Sequence, residues 1–392
     1  MKSGVYNGGM ARGIQGKLVD HSISDEPFQA FNPNPLPPSP PLEDSSAVRR
    51  TLSIADQMVG RLDGLSTLLR HPDMLISFYI RKEAVLSSQI EGTQSTLTEL
   101  LLFEIEPETG TEDTAEVANY VRAMRHGLSR LHNGFPLSLR LIREMHEVLL
   151  SSGRGSKSTP GEFRRTQNWI GGSRPGNALY VPPVLQMQEA LDSFEKFLHG
   201  QAEDFPVLIQ CAMIHVQFES IHPFLDGNGR LGRLLITLLL VERGVLVEPL
   251  LYMSLYLKQN RDEYYELLQR VRYEGAWEDW ILFFLRGVSS TAEKAVALAK
   301  SLLALFERDE QSLHDVGARK GSALQVLNRL PGMPYTSVRR LADATGLSFN
   351  AVANALEILK SKGIVREVAG HRGRLFLYSE YIRMMDEGAT AS

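Results

Sequence analysis

The chain has 392 residues, 43% of them hydrophobic, 22% charged and 8% aromatic, and a net charge of −4. That is ordinary globular material, long enough for two or three domains, and it excludes disorder along the whole chain. A single cysteine, Cys211, excludes an internal disulfide framework and a thiolate cluster for structural zinc, which suits a reducing compartment.

Taken in chain order, the start MKSGVYNGGMARG lacks the apolar core of a signal sequence, and the longest apolar stretch, Leu234 to Val241, is far short of a membrane span. A soluble, cytoplasmic protein with no membrane partner is the expectation. The residues before Pro27 are Gly-rich and polar and are expected to be mobile. Phe31 to Leu42 holds six prolines, which remove backbone donors and fix φ, so an extended strap is expected there. From Ser45 the pattern turns helical: Leu52, Ala55, Met58, Val59, Leu62 and Leu65 fall on one face. Further helical patterns lie at about 78–91, 95–104, 113–133, 137–151, 186–199, 205–220, 228–243, 260–273 and 275–307. Strand signals are scarce. The clearest is Gln167 to Val181, where β-prone residues flank a Gly/Pro/Asn turn and predict an irregular hairpin.

Beyond a long helix ending near Glu310, helices are expected at 321–330, 336–344 and 348–361, then two strands, IVREV and RLFLYS, the order of a winged helix-turn-helix. Residues 319–392 carry 11 basic against 6 acidic residues, or +5, which leaves −9 on the rest. The division predicted is a strap over 1–44, a helical region over 45–112, a helical core over 113–290, a connecting helix over 291–318 and the winged helix over 319–392.

The most informative segment is Ile221 to Arg233, IHPFLDGNGRLGR. Pro223 rigidifies the turn after His222, Asp226 supplies a carboxylate, and Gly227-Asn228-Gly229 lets backbone approach a ligand where a helix begins. Such a start aims unpaired N–H groups at an anion. Arg230 and Arg233 share a face of the first turn, where they oppose the helix dipole unless an anionic ligand is present. Singly these are a structural His, a turn-forming Asp and a solvated Arg pair; within thirteen residues they point together to polyphosphate. Zinc is the competing reading, since Cys211, His215 and Glu219 are spaced by four with His222 close behind, but it leaves the glycines and arginines unexplained.

The run His222-Pro223-Phe224-Leu225-Asp226-Gly227-Asn228-Gly229-Arg230-Leu231-Gly232-Arg233 resembles the full signature of Fic-domain proteins, and the similarity extends from about Pro35 to Val288. The resemblance implies a mainly α Fic fold with a β-hairpin flap, and transfer of AMP from Mg-ATP to a Ser, Thr or Tyr hydroxyl of a target protein. In these residues His222 would be the general base. Asp226 would hold Mg²⁺ against the phosphates. The backbone of Gly227 to Gly229, the side chains of Asn228 and Arg230, and the turn through Leu231 and Gly232 would receive ATP, with Arg233 at the γ-phosphate. Phe224 reads as the anchor of the loop. By the same resemblance Tyr264 or Tyr265 borders the adenine, and the hairpin, at Ile170 and Gly171, is the flap that registers the target by strand addition.

Ser87-Ser88-Gln89-Ile90-Glu91-Gly92 matches the family's inhibitory pattern of Ser or Thr, three residues, Glu, then Gly or Asn. It ends a periodic helix that Gly92 can close, and Thr96 with Glu99 offers a capping box for the next. Because it precedes the core, it fits the class with an N-terminal inhibitory helix. Resemblance then sets Glu91 against Arg233, and homodimerisation is expected on the same ground. The Doc-like phosphotransferase branch has lysine where this chain has Gly229, which argues against kinase activity. Transfer of UMP or phosphocholine, removal of AMP with Glu91 placing water, and modification of the chain itself stay open. A regulator that binds DNA is the alternative from another class, with Arg339 and Arg340 flanking the turn, Ser348, Asn350, Asn354 and Lys360 facing a groove, and Arg366, His371, Arg372 and Arg374 on the wing.

Overall fold

The computed structural model describes residues 12–23, 26–66, 72–200, 204–368 and 374–386. His371 and Arg372 lie outside them. Fifteen α-helices and five strands are present among the described residues. The centre is the pair α7 (Val207–Ile221) and α8 (Asn228–Glu242), joined by the motif loop. Every residue from Leu208 to Ile221 is buried, so α7 has no exposed face. A helix buried all round needs neighbours on every side. Around this pair stand α4 (Glu112–His132), α5 (Leu139–Leu149), α6 (Met187–His199) and α10 (Arg261–Glu274).

Two further helices bring the N-terminal region to the centre. α1 (Ser46–Ser66) lies along α11 (Trp277–Gln311), and α2 (Pro72–Ile90) packs on α4 and α8 and ends beside the motif. α3 (Leu97–Phe103) begins with the expected capping box, Glu99 N donating to Thr96 Oγ1 at 3.2 Å and Thr96 N to Glu99 Oε2 at 2.7 Å. The short α9 (Ser254–Gln259) has no counterpart in the sequence reading; at six residues it shows too little periodicity to be seen.

Of the segment before Pro27, residues 12–23 correct the expectation of a mobile stretch, while residues 1–11, 24 and 25 lie outside the described residues. Strands β1 (Gly16–Ile23) and β2 (Glu26–Pro33) form an antiparallel ladder with Gly16 opposite Pro33. Phe28 and Ala30 of β2 are buried against Val181, and Phe31 N donates to Val181 O at 2.8 Å. Contacts with residues about 150 positions away stabilise this hairpin, and local composition cannot report them. The hairpin expected over 167–181 is smaller than its sequence implies: its arms meet in one bridge, Ile170 to Tyr180, around a turn at Pro175–Asn177.

The boundary expected at 290 falls inside α11, which runs unbroken for 35 residues. Past it come α12 (Lys320–Leu327), β3 (Tyr335–Ser337), α13 (Val338–Thr345), α14 (Phe349–Ser361), β4 (Val365–Val368), β5 (Leu375–Tyr378) and α15 (Ser379–Asp386), with sheet order β3-β5-β4. Strand β3 and helix α15 have no counterpart in the sequence reading. This unit shares one apolar core with the rest: Tyr381 stacks on Phe306 and meets Phe78 of α2 edge-on, and Tyr378 donates to Asp309 Oδ2 at 2.7 Å. No described helix is long and apolar enough to cross a membrane.

Candidate active site

The loop from His222 to Gly227 is rigid by construction. His222 caps α7 in the left-handed region, at φ 49°, a conformation that costs a non-glycine residue energy and persists only where the surroundings enforce it. Arg164 enforces it, donating from Nε to His222 O at 2.9 Å and from its backbone N to Pro223 O at 2.9 Å. Asn228 braces the loop from within: Phe224 N donates to its Oδ1 at 2.9 Å and its Nδ2 donates to Phe224 O at 2.8 Å. The side-chain amide expected to cradle phosphate is therefore engaged by the loop itself. Phe224 is fully buried, stacked on His146 with centroids 3.7 Å apart and leaning on Phe163. Phe224→Ala is expected to destabilise the fold by about 3–5 kcal/mol through the cavity it leaves. Denaturant unfolding followed by circular dichroism checks this.

At the start of α8 the two arginines are buried almost completely, Arg230 at 0% and Arg233 at 1% exposed. Arg233 donates from Nε to Ser87 Oγ at 2.8 Å, and from Nη2 to Ser87 O at 3.0 Å and Glu91 Oε1 at 2.7 Å. Arg230 lies among three carboxylates, with Nη1 donating to Glu116 Oε2 at 3.2 Å, Nε 3.2 Å from Glu91 Oε2 and Nη2 3.6 Å from Asp226 Oδ1. Yet Arg230 Nε and Nη2 have no hydrogen bond of sound geometry. Two orphaned guanidinium N–H groups in a buried site are what an anionic ligand would satisfy. The sequence reading places Glu91 at Arg233; here it engages both arginines. Burial works against its charge, but Arg233 and then Arg230 outweigh burial and hold its carboxyl below the ordinary value. Its side chain is still 21% exposed, so it covers the pair from the solvent side.

Gly229 has no room for a side chain, since a Cβ would collide with Glu91 Oε1. Gly227, at φ 77°, forms the N-terminal boundary of α8 without a side-chain cap, which leaves the helix's first N–H groups pointing outward. Leu231 and Gly232 are buried, Gly232 against Glu219. Asp226 sits at the mouth with its side chain 29% exposed, its Oδ1 accepting from Gly227 N at 2.7 Å. A Cβ on Gly155 would lie 2.5 Å from Asp226 Oδ2, so glycine there keeps that carboxylate approachable. Gly92 comes directly after Glu91 at φ 97°, turning the chain away after α2 as expected.

Other expected residues divide. Tyr264 is buried and shares a hydrogen bond with His215 Nε2, 2.8 Å away, which puts its hydroxyl in the core beside Arg233 and Glu219; Tyr265 is 38% exposed under Arg261. His215 turns its other ring nitrogen to Gly232 O at 3.1 Å, so neither nitrogen faces a zinc ion. In the flap, Ile170 N and O both bond across the bridge, and Gly171, directly after it, is exposed with φ 68°. Of the residues expected to face DNA, Ser348 caps α14, accepting from Ala351 N at 3.3 Å, and Lys360 and Arg374 pair with Glu367. Four residues escape the sequence reading as parts of this site: Glu116, His146, Gly155 and Arg164. Each comes from a different segment and touches the motif only in the folded chain, so no spacing announces it.

Residues 49–129 match the Fic/DOC family N-terminal model and residues 136–240 the Fic/DOC family model. The protein adenylyltransferase Fic of Drosophila grimshawi is 32% identical over 189 residues, covering 47% of this chain and 34% of that one. Its counterpart in Aedes aegypti is 35% identical over 164 residues, covering 41% and 29%. The chain thus spans about a third of the length of the curated relatives it matches. A crystal structure of a Fic family protein from Desulfovibrio desulfuricans G20 shares the fold, with a TM-score of 0.56 and 18% identity over 86% of this chain and 98% of that one.

Proposed function

Because the chain carries both the N-terminal and the motif-bearing domain of the Fic/DOC family, we propose that it transfers AMP from ATP to a Ser, Thr or Tyr hydroxyl of a protein and that Glu91 holds it inactive. One observation carries this reading: two buried guanidiniums at the start of α8, one with unsatisfied N–H groups, are bridged by the one carboxylate of Glu91.

His222 Nε2 takes the proton of the target hydroxyl. The hydroxyl oxygen forms a bond to the α-phosphorus, the bond from that phosphorus to its bridging oxygen breaks, and pyrophosphate leaves. The outward N–H groups of α8, with Arg230 and Arg233, receive the charge that develops on the departing oxygens. Asp226 fits Mg²⁺, a hard ion content with one or two carboxylates when phosphate supplies the other oxygens, and Gly155 leaves that carboxylate clear. The metal would supply neutralisation of phosphate charge. Tyr265, the exposed member of its pair, is available to the adenine. Since Ile170 is occupied across its bridge, a target strand would pair with the outward groups of its neighbours Trp169 and Gly171.

Incubating a cell lysate and the Glu91→Gly protein with ATP labelled at the α- or the γ-phosphate, against the same lysate without the protein, tests the reading. Label above that background is expected from α-labelled ATP only, and to be lost in Asp226→Ala or with EDTA; added label from γ-labelled ATP would instead make the chain a kinase. The three helices and three-stranded sheet at the C-terminal end support a winged-helix reading, with Arg339, Asn350 and Asn354 exposed. Neutralisation of Arg374 by Glu357 and Glu367 weakens its case as a DNA reader, which salt-dependent retention on duplex DNA would decide.

A further inference from the structure

Glu219, in the last turn of α7, enters the sequence reading only as a zinc ligand. The structure gives it another setting. Its Oε2 lies 3.8 Å from His222 Nδ1, and the two side chains are 7% and 15% exposed. Glu219 Oε1 has no hydrogen-bond partner, and the backbone carbonyl of Glu219 lies close enough to the His222 ring to favour its protonated form without giving Nδ1 a hydrogen bond of sound geometry. A Cβ on Gly232 would come within 2.5 Å of Glu219 Oε1, so glycine at that position makes the space the carboxyl occupies. The charged and titratable groups facing this pair are Arg233 from α8, Arg272, Tyr264 and Tyr265 from α10, Glu91 beyond the end of α2, and Arg164 from the loop before the flap. Burial first, then Arg164 and Arg272, push the His222 imidazole down to about 3. A base so hostile to its own protonated form needs an anion beside it at the moment the proton arrives.

We propose that Glu219 is the positioning residue for His222: its carboxylate accepts the Nδ1–H, fixes the tautomer that turns a bare Nε2 to the target hydroxyl, and neutralises the imidazolium as it forms. The proposal rests on the AMP-transfer reading for its chemistry. A gap of 3.8 Å is long for a hydrogen bond, but catalytic hydrogen bonds commonly tighten only with substrate bound. The Nδ1 proton stays on the ring throughout, and the proton taken from the hydroxyl stays on Nε2 until the product leaves. Ionisation of Glu219 then becomes a condition for activity. Burial pushes its carboxyl up to about 7, with Glu91 raising it further and Arg233 and Arg272 opposing, so its charged form gains population across the neutral range. His222 is already deprotonated there and contributes no limb of its own.

The test uses the full chain with Glu91→Gly, comparing Glu219 with Glu219→Gln. In the parent, which lacks the Glu91 charge that raises Glu219, the rate of AMP transfer is expected to rise along a single limb centred below about 7. In Glu219→Gln that limb vanishes and kcat falls by between about 10- and 10⁴-fold, with KM for ATP unchanged. A rate within about twofold of the parent, or a slowed enzyme that keeps its limb, overturns the proposal; the second outcome would mark a merely structural carboxyl. Should the Glu91→Gly parent itself transfer no AMP, the functional reading fails and Glu219 is judged on the ring alone. Nitrogen-15 spectra of His222 at pH 8 are expected to show the Nδ1–H tautomer in the parent and its loss in the similar-sized Glu219→Leu. An unchanged tautomer overturns the proposal irrespective of activity.

Discussion

His222→Ala is expected to slow AMP transfer by about 10² to 10⁴, the usual cost of losing a general base, while ATP affinity stays within a few-fold. On the proposed reading the ring is not among the groups that would hold phosphate: those are the N–H groups of α8 with Arg230 and Arg233, and the backbone that presents them is held by Arg164 and by the Asn228 brace, neither of which uses the imidazole. A substitution here carries one structural risk, since position 222 is left-handed at φ 49° and alanine tolerates that region poorly. His222→Asn answers it, because asparagine adopts the left-handed region readily and cannot act as a base at neutral pH. Both variants are expected to bind ATP, by calorimetry or by the shift in melting temperature, and both to leave a labelled target unmodified. Retained transfer in His222→Asn would remove His222 from the mechanism.

Glu91→Gly is expected to raise the rate of AMP transfer by about 5- to 150-fold, corresponding to about 1–3 kcal/mol of coupling between the proposed inhibitory turn and the proposed nucleotide site. In the resting chain Arg233 is held by Ser87 and Glu91 together, and Arg230 shares the same carboxylate. A γ-phosphate must compete with a charge-assisted pair that is mostly screened from water, and such pairs are stronger than exposed ones. Removing the carboxylate has a second consequence. Two buried guanidiniums lose part of their compensation, so the variant is expected to melt at a lower temperature without nucleotide and to gain more from ATP than the parent does. Arg233→Ala should be slow alone and stay slow combined with Glu91→Gly, because the opened site then lacks its ligand for the γ-phosphate. Labelled-ATP assays on the four proteins with Mg²⁺ read this non-additivity. Equal activity of the double variant and Glu91→Gly would show that Glu91 acts through some other group.

Particular residues show where the sequence was legible. Helices of ten residues or more, from α1 to α11, were visible because apolar residues recur at three and four, and the capping box at Thr96 and Glu99 marked the start of α3 to within a residue. The short α9 and β3 carry too few residues for a period, and the β1–β2 hairpin depends on Val181. In the candidate site the run from His222 to Arg233 was readable because its residues lie together in sequence. Asn228 shows the limit: its presence was evident, but the structure gives its amide to Phe224 where phosphate was expected. Tyr264 and Tyr265 were indistinguishable as neighbours, and only packing against His215 sends the first into the core.

By itself the sequence determined the mainly helical class, the anion-seeking start of α8, and the presence of Ser87, Glu91 and Gly92 at a helix end, since each of these is local chemistry written in adjacent residues. Tertiary structure alone decided that Glu91 engages Arg230 as well as Arg233, that Glu116 takes the other side of Arg230, and that Glu219 stands beside the ring of His222. It also decided that the C-terminal unit shares a core with α2, the helix that delivers Glu91. The reason is the same in each case. A charge finds its partner through space, and between α2, α4, α7 and α8 that space exists only once apolar burial has packed the four helices around one another.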